Sequence, residues 1–128
     1  MTARSALFLG ALAGFLTVAL GAFGAHVLEP RLTPELLRTW HKAVFYQGLH
    51  ALAVLACGLL TRLGGSVSAG RAAWAFLLGI LFFSGSLYGL VLGGHRILGL
   101  ITSVGGLAFL VGWTLLAMAA REMDRPAD

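Results

Sequence analysis

The stretch "KAVFYQGLHALAVLACGLLTR", residues 42–62, decides the fold, because a lysine and an arginine enclose nineteen residues without Asp, Glu, Lys or Arg. A helix rises about 1.5 Å per residue and must cross about 30 Å of hydrocarbon, so a run of this length makes one membrane crossing. Working outward, the pattern recurs on both sides. Arg4 to Glu29, Arg71 to Arg96 and Arg96 to Arg121 each enclose 24 uncharged residues. These gaps predict four spans, near 5–25, 43–61, 72–92 and 98–120, in a single membrane domain covering residues 1–128. The expected fold class is all-α, an integral membrane four-helix bundle. With 59% hydrophobic and 11% charged residues, the composition lies outside the soluble globular range and agrees with that reading.

The charges that remain set the surroundings. Nine Lys and Arg residues give a net charge of +4, but they sit at helix ends and in loops rather than on one basic face, so nucleic acid is not an expected partner. The lipid bilayer is. Arg4 followed by an apolar run and "AFGA" resembles a secretory leader, yet the run is long for one and three more spans follow, so it is read as a retained span. With four spans, Arg4, Arg62, Arg71, Arg121 and Arg125 share one side, and Arg31, Arg38, Lys42 and Arg96 the other. Five against four favours both termini in the cytoplasm. Cys57, the sole cysteine, lies inside the second span and can form no intrachain disulfide.

Between the first two spans, "TPELLRTWHK" at 33–42 carries a helix start: Thr33 as N-cap, Pro34 at the first helical position, Glu35 near the positive dipole end. Leu36, Leu37, Trp40 and Val44 fall on one side of it. The pattern predicts a short amphipathic segment over about 34–42, lying in the interface with Trp40 at headgroup level. A helix continuous with span two is the competing reading. "RLGGSVSAGR" reads as a flexible connection and "GGHR" as a tight turn.

No proline falls inside a span, so any bend must come from glycine. Small residues are spaced for close helix packing: Gly10 with Gly14; Ala13, Thr17, Gly21 and Ala25; and Gly85, Gly89 and Gly93. Gly10 to His26 and Gly79 to His95 are both sixteen residues apart, a faint internal echo.

The topology gathers His26, His41 and His95 at one membrane face, and His50 enters from that face about 10 Å into the bilayer. Tyr46 and His50, four apart, share a helix face, and Gln47 is placed beside them. Two readings compete for these groups. One is a pocket formed by His26, Tyr46 and His50 for a metal, haem or quinone. The other, which the residues favour, is that neutral His50 hydrogen-bonds across helices to Ser84, Ser86, Tyr88, Thr102 or Ser103. No spacing matches a zinc or haem-attachment motif, so the identity of any metal stays open and no cofactor is assigned. The five acidic residues all lie outside the spans, and no nucleophile elbow, paired carboxylate or phosphate loop is present, which argues against an enzyme.

Four motifs in order, "GAFGAH" at 21–26, "YQGLHALA" at 46–53, "FSGSLY" at 83–88, and "GG" with "GW" between 105 and 113, resemble those of the YgdD/YwdK-like small inner-membrane proteins of bacteria, a domain-of-unknown-function family. The likeness covers nearly the whole chain. It implies a four-helix integral inner-membrane protein without an established activity. The positions it carries over are His26, Tyr46, Gln47, His50, Ser84, Gly85, Ser86, Tyr88, Gly105 and Gly106. Where that family usually reads Thr-Pro before the paired glycines, this chain has Thr102 and Ser103, and a bend there is not expected. The functional expectation is a structural, assembly or accessory membrane component, as a homo-oligomer or within a larger complex. A small-ligand module using the histidines, or a small channel formed by an oligomer, are the alternatives.

Overall fold

The structure, a computed structural model, describes residues 1–64 and 66–123. Arg125, used in the charge comparison, lies outside them. Four helices are long and apolar enough to cross a membrane: α1 Ala3–Leu28, α2 Pro34–Gly64, α3 Val67–Gly93 and α4 Leu98–Glu122. Their starts follow from local chemistry. Thr2, Thr33 and Ser66 each accept a hydrogen bond from the backbone N–H three residues on, at 3.2, 3.3 and 3.1 Å, capping α1, α2 and α3. The end of α3 is equally local. Gly94 takes φ +72°, a left-handed conformation that suits glycine, and returns its N–H to the Leu90 carbonyl at 2.9 Å.

Successive helices run antiparallel. Leu7 faces Gly58, Thr17 faces Gly48, and Trp40 faces Gly24 across α1 and α2, while Phe76 faces Gly112 and Phe83 faces Gly105 across α3 and α4. Packing proceeds in chain order, α1 on α2, α2 on α3 and α3 on α4, and among the described residues α1 and α4 do not meet. The bundle is thus an open row, with α2 and α3 inside and α1 and α4 flanking. The main core is built on small side chains, Ala6, Ala53, Ala72, Ala73 and Cys57, around Val54, Phe76 and Phe109. Small groups let the backbones close in where lipid supplies no hydrophobic drive between helices.

The 34–42 segment is helical but not separate. It forms the first turns of α2, which continues unbroken to Gly64. Trp40 is a correction of the same kind: it is buried, packed with Leu28 and Val91, and its Nε1 donates to the Leu20 carbonyl at 2.9 Å. The reason is the length of α1. Because α1 runs on to Leu28, the apolar face of 34–44 has a protein surface to cover it.

Two π-helical turns, Gly24–Leu28 and Ile80–Ser84, widen α1 and α3. In each, a backbone N–H reaches five residues back, Glu29 to Gly24 and Gly85 to Ile80. Both turns arise without proline, and such turns often mark functional segments. α4 passes straight through Thr102 and Ser103, as the absence of proline predicts.

Candidate functional site

Polar side chains inside the spans are joined in separate short links between helices. Gln47 is a bridge: its Nε2 donates to the Ala13 carbonyl of α1 at 3.1 Å, and its Oε1 accepts from the Tyr88 hydroxyl of α3 at 2.8 Å. Ser84 donates to the Ala43 carbonyl at 2.7 Å, which joins α3 to α2. Ser86 meets Thr102 at 2.5 Å, joining α3 to α4. Each link satisfies a group that would be costly to leave bare in hydrocarbon, and no buried side-chain nitrogen or oxygen among the described residues lacks a partner.

His50, 2% exposed, holds α2 to α4. Its Nδ1 lies 2.7 Å from the Tyr46 carbonyl, and its Nε2 lies 3.1 Å from Nε1 of Trp113. A carbonyl can only accept and an indole N–H can only donate, so these partners assign the neutral ring with the proton on Nδ1. The imidazole also stacks on Phe109 at 3.5 Å between centroids with a 7° tilt. Both ring nitrogens are used. A metal at His50 would have to displace one of these bonds.

Beside this residue, between α2 and α4, a groove of about 490 Å³ is walled by Tyr46, His50, Phe83, Phe109 and Trp113, with Gly106 and Ser103 on its α4 side. No charged side chain lines it. Ser103 turns its hydroxyl back to the Gly99 carbonyl at 3.3 Å.

The arrangement departs from the sequence expectations at named places. His26 is exposed at the end of α1 and takes no part in the groove, so a pocket of His26 with Tyr46 and His50 is not formed. Gln47 turns away from His50, toward α1 and α3. His50 bonds to none of the serines, threonines or tyrosine considered for it but to Trp113, whose indole N–H, obliged to find an acceptor within the span, was the signal to read. Of the proposed packing residues, Gly10 meets Leu55, Gly21 meets Val44, Gly89 meets Leu98 and Gly105 meets the backbone of Phe83. Gly14 has nothing near it, Ala25, Gly85 and Gly93 are exposed, and Gly106 makes only an ordinary contact with Phe83. Gly24, not Ala25, ends the stripe that faces α2.

The chain as a whole is similar to known sequences. A family model described as a protein of unknown function, DUF423, matches residues 20–106. A UPF0382 membrane protein of Staphylococcus epidermidis is 45% identical over 113 residues, 88% of this chain and 92% of the relative. One from Staphylococcus haemolyticus is 44% identical over 113 residues, with the same shares covered. The UPF0382 membrane protein YwdK of Bacillus subtilis is 43% identical over 115 residues, 89% of this chain and 94% of the relative. No solved structure matches the chain. Four membrane-crossing helices, a polar seam closed within the bundle and likeness over nearly the full length of these relatives make the chain a multi-pass membrane protein that belongs to the DUF423 family.

Proposed function

We propose that this protein is a non-enzymatic structural or accessory component of the bacterial inner membrane, with both termini in the cytoplasm and the α1 and α4 faces directed to lipid or to a partner subunit. The observation that carries this reading is the internal pairing of every buried side-chain nitrogen and oxygen among the described residues, His50 above all, which commits these groups to holding helices together. The flanking position of α1 and α4, whose Phe8, Phe15, Leu100 and Leu107 face outward, supports an assembly role. The Lys and Arg balance supports the orientation.

Cysteines placed at Leu100 and Phe15, one at a time in a Cys57→Ala background, test the assembly role by cross-linking in native membranes. A discrete product of fixed mass is expected. Monomer alone at both positions would sink the assembly reading. Reporter fusions at residue 128 and within the 29–33 loop check orientation, the first being active in the cytoplasm and the second outside it. The opposite pattern, or activity on both sides from each fusion, rejects the assignment.

A further inference from the structure

We propose that the groove between α2 and α4 is a binding site for the ring of an isoprenoid quinone, with the Tyr46 hydroxyl donating to a ring carbonyl. The proposal goes beyond the accessory role and does not depend on it. Four observations point to this ligand class. First, the groove opens to the side, where Leu49, Leu107, Leu110 and Trp113 are 42 to 65% exposed, so its occupant arrives from the bilayer. Its volume of about 490 Å³ lies within the roughly 300–1,000 Å³ of small-molecule sites.

Second, three of the five rings in its wall lie near parallel, while Phe83 and Trp113 are turned against them, at 53° to Phe109 and 62° to His50. Tyr46 is tilted 19° from His50 and 25° from Phe109, and His50 lies 7° from Phe109. That order suits a flat ring, which stacks on aromatic faces, and gives a flexible acyl chain nothing extra. Third, the polar hydrogens are already spent except one. Trp113 donates to His50, His50 to the Tyr46 carbonyl and Ser103 to Gly99, whereas the Tyr46 hydroxyl has no hydrogen-bond partner among the described residues. A single donor in an apolar slot calls for an acceptor on the rim of the ligand, as a quinone carbonyl provides. The lack of any cation in the lining removes the means of holding a lipid phosphate.

Fourth, Gly106 has no packing duty. A Cβ at Gly105 would run into the backbone of Phe83, but one at Gly106 would meet only Phe83 Cδ2, at 3.9 Å. The missing side chain at 106 therefore enlarges the groove and does not bring helices together.

The test uses the full chain in phosphatidylcholine nanodiscs, labelled with a photoreactive azido-ubiquinone and mapped by mass spectrometry. Saturable labelling confined to the peptides around Tyr46, Phe83 and Ser103 to Gly106, displaced by ubiquinone-1, is expected. Gly106→Leu, which fills the groove, should cut it by about tenfold, and Tyr46→Phe should raise the half-saturating concentration by about threefold to tenfold, the value of one neutral hydrogen bond. Leu107→Trp, from the groove rim, provides a second blocking variant if Gly106→Leu does not fold as judged by gel filtration. Labelling that spreads over the lipid-facing residues without saturation overturns the proposal. So does wild-type labelling in both blocking variants. Near-complete disulfide dimers from Ser103→Cys in a Cys57→Ala background would show instead that a second copy covers the groove, and would also overturn it.

Discussion

Replacing Trp113 by phenylalanine keeps a ring in place and removes only the N–H that His50 Nε2 accepts. Hydrogen bonds between membrane helices average about 0.6 kcal/mol with a maximum near 1.7, so Trp113→Phe should destabilise the protein by about that range in denaturant titration. Tyr46→Phe provides the contrast: its hydroxyl has no hydrogen-bond partner among the described residues, and the apo protein should lose almost nothing. Equal losses from the two substitutions would mean that ring packing, not the indole N–H, ties His50 to α4. Gln47 and Tyr88 make a second pair to separate. Gln47→Leu leaves the Tyr88 hydroxyl without its acceptor, so adding Tyr88→Phe should cost less than it does alone, with a coupling of about 0.5 kcal/mol or more in a double-mutant cycle. Strict additivity would show that the 2.8 Å contact contributes nothing.

At the scale of helices, glycines that look alike in sequence differ by where their faces point. Gly105 lets α4 close against the π-helical turn of α3, and an added Cβ would meet the backbone of Phe83, which cannot swing aside as a side chain can. Gly105→Ala should therefore cost more than about 2 kcal/mol or abolish folding, since overpacking a tight contact forces backbone shifts. Gly14→Ala, with open space around it, should be neutral or gain up to about 1 kcal/mol from helix propensity. Thermal melts of the two purified variants decide this, and a similar loss from both would contradict the packing described. The contrast also explains what the sequence makes legible. Helix number and extent follow from charge spacing, because a formal charge in hydrocarbon costs several kcal/mol wherever the neighbours are. Which glycine is a contact depends on which face meets another helix, and G-x-x-x-G reads the same at Gly10, which Leu55 meets, and at Gly14, where a Cβ would meet nothing. Trp40 belongs to the same class of difficulty. Its burial depends on α1 extending to Leu28, and its acceptor lies twenty residues away on another helix. His50 was recognisable as a buried group needing partners, but Trp113, 63 residues further on, becomes its partner only through the stacking of α4 on α3.

At the scale of the whole molecule, the open row has a consequence that a closed ring of four helices would not share. Every helix pair that is adjacent in the chain packs, and Glu122 at the end of α4 fastens that helix to the start of α3 through Ser66, at 2.6 Å, and Ser68. Among the described residues, no corresponding contact joins α1 to α4. Engineered disulfides measure this directly, because two cysteines bridge only when their Cα atoms lie within about 7 Å. In a Cys57→Ala background, Thr17→Cys with Gly48→Cys should oxidise within one chain, since the Thr17 side chain lies 2.9 Å from the position of a Cβ on residue 48. Val18→Cys with Leu107→Cys, both on outward faces of the flanking helices, should give no intrachain bridge. Electrophoresis separates the outcomes: a shifted monomer for the first pair, and an unshifted monomer or a dimer-sized band for the second. A shifted monomer from the second pair would close the row into a ring, and the outward faces of α1 and α4 would no longer be free for lipid or another subunit.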